Sequence, residues 1–80
     1  MLKVRLNNTA VQRAMAKRNM SQNMLAMRTG SSSGYISQLM RGARYPSPKI
    51  RQKILDVLSP LTFDGIFIIE EDRDDVPARR

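Results

Sequence analysis

The amino-acid sequence predicts a small all-α domain of four to five helices, with a minor two-stranded sheet from the N- and C-terminal segments. Three observations lead to this fold class. Eighty residues are enough for one domain with one thin core. Four segments carry apolar side chains at helical spacing, and each follows a residue that can cap a helix. Glycine or proline then ends three of the four segments.

The two ends of the chain favour strands. In "LKVRLN" the apolar residues Leu2, Val4 and Leu6 alternate with polar ones, which predicts a short half-buried strand. The C-terminal "LTFDGIFIIEE" has two interpretations: a hairpin closed by Asp-Gly, or a helical turn over residues 63–67 followed by a strand over residues 67–71. We favour the second, because the N-terminal strand is not stable alone and needs a partner.

The first two helices are predicted from apolar spacing and capping residues. The first covers residues 8–18, and one face of it carries Val11, Ala14, Met15 and Arg18. The second begins after Ser21, whose hydroxyl can accept a bond from a free N–H at the helix start. Gly30 stands where the end of that helix favours a left-handed residue.

The third and fourth helices follow the same logic. Ser32 is the expected cap of the third helix, which covers about residues 33–41 and ends at Gly42. Ser47 and Pro48 open the fourth helix, because proline at the first helical position has no N–H to leave unpaired.

Composition excludes most enzyme and cofactor chemistry. The chain has no Cys and no His, so it offers no thiolate, no imidazole base and no Cys/His zinc site. We therefore expect no enzyme activity, no catalytic residue, no metal and no cofactor. No apolar run approaches the ~20 residues that span a bilayer, and "MLKVRLNN" lacks the core of a signal peptide. We expect a cytoplasmic protein with no membrane partner.

The charges divide sharply along the chain. Residues 1–55 contain eleven Lys or Arg and no acid, which gives a charge of +11. Residues 56–80 carry seven acids and three Arg, which gives a charge of −4. Because the basic part cannot neutralise itself, its field attracts a polyanion, and nucleic acid is the usual one.

The spacing of small and apolar residues in the middle of the chain predicts a helix-turn-helix. Leu25, Ile36 and Leu39 have the spacing of inward contacts between two helices that cross steeply. Ala26 is small where the third helix passes close to the second, and Gly30 permits the sharp turn between them. This arrangement is typical of a DNA-binding motif.

One long stretch resembles the lambda-repressor-like, Cro/C1-type (Xre) helix-turn-helix family: "SQNMLAMRTGSSSGYISQLMRG", followed by "RYPSPKIRQKIL". The resemblance covers roughly residues 6–58. Ser31 departs from the family, which usually has Val or a similar apolar residue there, and we expect looser packing at the turn. Met40 stands where Glu is frequent, and the triple serine is more polar than usual.

The resemblance implies binding to double-stranded DNA, with the third helix in the major groove. Four residues of that helix would face base edges: Ser33, Gly34, Ser37 and Gln38. Gln38 is the strongest of them, because a Gln carboxamide can pair bidentately with adenine. Five residues are predicted to contact phosphates: Gln22, Ser32, Tyr35, Arg41 and Arg44.

Several of these side chains also have structural interpretations. Tyr35 either packs over the turn or touches DNA, and the amino-acid sequence favours neither interpretation. The bases of the fourth helix either contact phosphate or form its solvent side, which we favour: Lys49, Arg51 and Lys53. The bases of the first helix are expected to form a solvated face: Arg13, Lys17 and Arg18.

The predicted function is sequence-specific DNA binding in transcriptional regulation, as a repressor of a bacterium, phage or mobile element, without a small-molecule effector. One recognition helix binds weakly, so we expect a homodimer on half-sites about one helical turn apart. Residues 1–69 would form the domain, and residues 70–80 an acidic, disordered tail. The apolar residues 66–69 would form the dimer interface or close the monomer core; both remain open.

A second function belongs to another class. The chain could be a protein-interaction adaptor, such as an antitoxin-type module that holds a partner with its C-terminal strand and acidic tail. DNA binding would then be secondary.

Overall fold

The computed structural model describes residues 2–71. Within this range the chain forms five helices and a small antiparallel sheet, which confirms the predicted fold class. The elements, in chain order, are β1 (Leu2–Leu6), α1 (Asn8–Lys17), α2 (Gln22–Thr29), α3 (Ser33–Met40), α4 (Pro48–Val57), α5 (Phe63–Ile66) and β2 (Phe67–Glu71). None of the helices in residues 2–71 is both long enough and apolar enough to cross a bilayer.

The sheet joins the two ends of the domain. β1 and β2 run antiparallel, with Leu6 opposite Phe67 and Val4 opposite Ile69. The N–H of Asn7 continues the pairing by donating to the carbonyl oxygen of Ile66 at 2.8 Å. The favoured interpretation of the C-terminal segment is therefore confirmed. The hairpin interpretation is wrong, because the Asp-Gly pair lies inside α5 and the partner strand is β1.

β2 also moves one predicted boundary. Glu70 and Glu71 were assigned to the acidic tail, but both are paired strand residues, opposite Lys3 and Leu2. Backbone pairing with β1 holds them in the sheet despite their charge. The rest of the predicted tail, residues 72–80, lies outside the described residues.

Short polar side chains begin four of the helices, as predicted. The side-chain oxygens of Asn7, Ser21, Ser32 and Ser47 each accept a bond from the N–H three residues on, at 3.1–3.3 Å. Each bond satisfies one of the backbone donors that a helix start leaves free. α1 and α3 end one residue earlier than predicted, because Arg18 and Arg41 are their C-caps.

Glycine ends the two central helices in the same way. Gly30 and Gly42 have φ of 71° and 78°, the left-handed conformation that a side chain disfavours. After Gly30, the N–H of Ser31 donates to the carbonyl oxygen of Ala26 at 2.8 Å. After Gly42, the N–H of Ala43 donates to the carbonyl oxygen of Gln38 at 2.9 Å. These bonds pair carbonyls that the helix ends leave free, and they turn the chain sharply.

The core lies between the five helices and the inner end of the sheet. The predicted inward residues Leu25, Ile36 and Leu39 are fully buried. Ile66 and Phe67 are buried as well, so this part of the C-terminal segment closes the monomer core. Ile69 differs, because it lies on the outer part of the sheet and is 53% exposed. Burial thus decides between the monomer core and a dimer interface for Ile66 and Phe67 only, and Ile69 is left open.

Candidate nucleic-acid interface

α2 and α3 pack against each other and form the two helices of the motif. The last residue of α2 is Thr29, whose side chain is fully buried and whose hydroxyl lies 2.8 Å from the carbonyl oxygen of Leu25. The same hydroxyl lies 3.3 Å from the Ser31 hydroxyl. Ser31 therefore has a polar partner at the turn, where we expected looser packing because the family usually has an apolar side chain at this position.

The leading end of α3 is narrow. Ser32 is exposed and uses its hydroxyl oxygen to cap the helix, which leaves its O–H free to donate outward. Gly34 is exposed, and a Cβ placed on it would meet nothing within 4 Å. Space around a helical glycine means that the bare backbone itself is accessible to another molecule. Ser33, between them, is half-buried.

Ser37 and Gln38 follow on the next turn of α3, and both are half-buried. Within residues 2–71, no hydrogen bond engages either side chain. The carboxamide of Gln38 is therefore available for the bidentate pairing that an adenine edge accepts. The structure places all four predicted base-reading residues on α3, and three of them lie within its first five positions.

Gln22 connects the start of α2 to the start of α3. Its Nε2 lies 3.5 Å from the carbonyl oxygen of Ser33, which is the long limit of a hydrogen bond. The contact is weak, but it places a predicted phosphate-contacting residue beside the predicted base-reading end of α3. The starts of both helices also carry free N–H groups and the positive end of a helix dipole, which favour a negatively charged ligand.

The remaining predicted phosphate contacts are Tyr35 in the first turn of α3, Arg41 at its C-cap and Arg44 in the loop that follows. The guanidinium of Arg44 lies over the ring of Tyr35, 5.8 Å from its centroid. Tyr35 is half-buried and packs against the core, and a contact of its hydroxyl with DNA stays a prediction. Arg41 caps α3 and is exposed. Neither arginine forms an ion pair with a carboxylate among residues 2–71.

On the outer polar face of the sheet, a basic side chain is paired with an acidic one of the same sheet. Nε of Arg5 donates to Glu70 at 2.6 Å, and the Tyr45 hydroxyl lies 3.1 Å from the other Glu70 oxygen. The Arg5 hydrogen bond lowers the pKa of Glu70, and the bond from Tyr45 and the nearby charge of Lys3 act in the same direction. These paired charges therefore attract a polyanion less strongly than Arg41 and Arg44, which have no carboxylate partner among residues 2–71.

Arg18 corrects the sequence analysis, which assigned it to a solvated face. Its guanidinium donates to the carbonyl oxygens of Ala14 at 3.0 Å, Leu58 at 2.9 Å and Ser59 at 2.9 Å. It binds the end of α1 to the end of α4, where a helix terminus favours a positive charge. The sequence held the signal, because Arg18 shares the face of the first helix with Val11.

Comparison with known families agrees with this geometry. A family model described as Helix-turn-helix (HTH_3) matches residues 11–66, which is more than half of the chain. The match runs from within α1 to the end of α5 and contains every residue of the candidate interface. Comparisons with curated proteins and with solved structures found no match.

Proposed function

The chain belongs to the HTH_3 family of Cro/C1-type helix-turn-helix proteins, and on this basis we propose that it is a sequence-specific transcriptional repressor that reads the major groove with α3. The observation that carries the proposal is the free end of α3. Short side chains, an exposed glycine and Gln38 stand together on one helix, beside Arg41 and Arg44. Among residues 2–71, the side chain of Gln38 has no hydrogen bond and neither arginine pairs with a carboxylate. The proposal places the protein in the cytoplasm of a bacterium, encoded by the cell, a phage or a mobile element.

Base reading falls to four residues in this proposal. Gln38 pairs with adenine, and Ser33 and Ser37 donate to or accept from either base of a pair. Gly34 lets the backbone of α3 approach the groove closely. Because three of the four side chains are short or absent, we expect few strong base contacts and a modest specificity ratio.

Phosphate contacts hold α3 in position from both ends. Gln22 and Ser32 bind one strand at the helix start, where N–H groups are free. Arg41 and Arg44 bind the backbone at the helix end. Arginine suits this task because its planar donors match two phosphate oxygens, and Tyr35 restricts the orientation of Arg44.

Dimerisation uses the outer part of the sheet. Leu2 is 64% exposed and Ile69 is 53% exposed, and Val4 lies between them on the same face. A second copy related by two-fold symmetry would cover this face with the same face of its own. The dimer then presents two copies of α3 to half-sites about 34 Å apart. No small-molecule effector is needed, because occupancy of the operator alone blocks transcription.

Selection of binding sites from random DNA, at two salt concentrations, tests the proposal. We expect enrichment of a two-fold symmetric site with half-sites about ten base pairs apart. Strong binding that falls steeply with salt but enriches no site would mean non-specific association and would overturn sequence reading. Absence of DNA binding at both concentrations would favour the adaptor function instead.

A further inference from the structure

A cavity of about 370 Å³ opens between α1 and α5, away from the helix-turn-helix. Its lining comes from α1, α5 and the segment before α5, and no residue of α2 or α3 takes part. Cavities of this size fall within the range that holds a side chain or a small ligand. The proposed DNA interface makes no use of it.

The floor of the cavity is apolar. Ala10 and Ala14 supply the α1 side, and Leu61, which is 38% exposed, supplies the opposite side. Gly65 leaves the α5 side open, since a Cβ added there would meet nothing within 4 Å. This combination suits an aliphatic side chain of another molecule, because burial removes apolar surface of both partners from water.

The rim of the cavity is cationic. Arg13 and Lys17 are four residues apart on α1, so they lie on one face of the helix, and both are exposed. Neither pairs with a carboxylate among residues 2–71. Arg18 adds a third positive charge to the lining, although its donors bind backbone carbonyls. Within the described part of the chain, the charges of Arg13 and Lys17 are therefore available to a partner that brings its own anions.

We propose that this α1–α5 cavity docks an acidic segment of a partner protein. One aliphatic side chain enters the cavity, and flanking carboxylates pair with Arg13 and Lys17. A DNA duplex fits this site less well, because a phosphodiester backbone has no aliphatic group for the floor. The surface is separate from α3, so the partner can be bound while the protein is on DNA.

Nuclear magnetic resonance titration of the ¹⁵N-labelled full chain tests the site with a capped peptide, Asp-Asp-Leu-Asp-Asp. We expect saturable shifts at Ala10, Ala14 and Gly65. Two matched peptides separate the contributions: Asn-Asn-Leu-Asn-Asn removes the charge, and Asp-Asp-Gly-Asp-Asp removes the aliphatic side chain. Both should bind more weakly than the first peptide.

Two variants test the same site from the protein side. Combined Arg13→Gln and Lys17→Gln should weaken binding of the peptide about tenfold, which is within the range for the loss of two exposed pairs. Gly65→Leu should fill the cavity and abolish the shifts, with an unchanged unfolding midpoint as the control. Shifts centred on α3, or equal binding of the glycine peptide, would overturn the proposal. A loss of operator affinity in the double variant equal to that of Arg44→Ala would assign the surface to DNA instead.

Discussion

The guanidinium of Arg44 lies over the ring of Tyr35, 5.8 Å from the ring centroid. The two residues are nine positions apart, on α3 and in the loop after it. The ring is half-buried against the core, so it is a fixed platform for a side chain that would otherwise sample many rotamers. A phosphate contact by Arg44 therefore depends on Tyr35, even if the tyrosine never touches DNA.

Tyr35→Leu should weaken operator binding about two- to fivefold, because it removes a cation–π contact of roughly 0.5–1 kcal/mol. Arg44→Ala should weaken binding to all sequences alike and lower the salt slope by about one. Titrations of fluorescent duplexes at several salt concentrations measure both. Tyr35→Phe is the matched control and should retain wild-type affinity. If Phe is as weak as Leu, the hydroxyl itself contacts DNA, and positioning is not its role.

Gly34→Ala should raise stability and lower DNA affinity together. Alanine stabilises a helix relative to glycine, by about 0.5–1 kcal/mol in the interior and by less at the second position of α3, and nothing within 4 Å obstructs the new Cβ. The added methyl would separate α3 from the base edges. Urea unfolding and operator titration give the two quantities. Gly65→Ala, also helical and unobstructed but on α5, should leave operator binding unchanged. Unchanged affinity in Gly34→Ala would contradict a close approach of the α3 backbone.

Gln38→Ala should reduce specificity more than affinity for random DNA. The loss of a bidentate pair with adenine costs about 1–3 kcal/mol at the operator, whereas phosphate contacts stay in place. The ratio of operator to non-specific binding at one salt concentration measures this effect. Gln52→Ala is the control, because Gln52 is exposed on α4 and pairs with Asp56. Equal loss on both kinds of DNA would remove Gln38 from base reading.

The helices could be predicted from the sequence because their signals are local. The hydroxyls of Ser21 and Ser32 each accept a bond from the N–H three residues on. The turn at Gly30 is closed by a bond between Ser31 and Ala26, which are five residues apart. The positions of α2 and α3 followed from these signals, and with them the place on α3 of the residues proposed to read bases. Contacts between distant parts of the chain left no such signal. Arg5 meets Glu70 across 65 positions, and only the register of the sheet brings them together.

Arg18 combines a local signal with contacts between distant parts of the chain. Its face of α1 could be read from apolar spacing, yet a charged residue on that face was assigned to solvent. Besides the carbonyl oxygen of Ala14, its guanidinium binds those of Leu58 and Ser59, which are 40 and 41 residues away. Free carbonyls at the end of a helix cannot be recognised in a sequence until the helix that faces them is known.

Arg18→Met should destabilise the fold by about 1–3 kcal/mol, because the carbonyl oxygens of α4 lose a charged donor. Methionine keeps the aliphatic length, so packing changes little. Chemical unfolding followed by circular dichroism gives the difference, and the m-value should stay constant. Arg13→Met is the control and should change stability little, because Arg13 is also on α1 but is exposed and makes no such bond within residues 2–71. Equal stability of the two variants would mean that water replaces the arginine without cost.

Glu70 should make stability depend on pH in the acid range. Its pKa is lower in the folded protein than its usual 4.5, first because Arg5 donates a hydrogen bond to the carboxylate. The folded state therefore holds the proton less tightly than the unfolded state. Its contribution to stability is fully present above the unfolded pKa and is lost as the pH falls through the folded pKa.

Glu70→Gln should lower the unfolding midpoint at pH 7 and leave it unchanged near pH 2, where both proteins are neutral at this position. Thermal unfolding from pH 2 to pH 7 measures the difference between them. Glu71→Gln is the matched control, since Glu71 follows on the opposite face of β2, away from Arg5. It should give a constant, small difference across the range. A pH-independent effect of Glu70→Gln would mean that shape, and not charge, joins the carboxyl group to Arg5 and Tyr45.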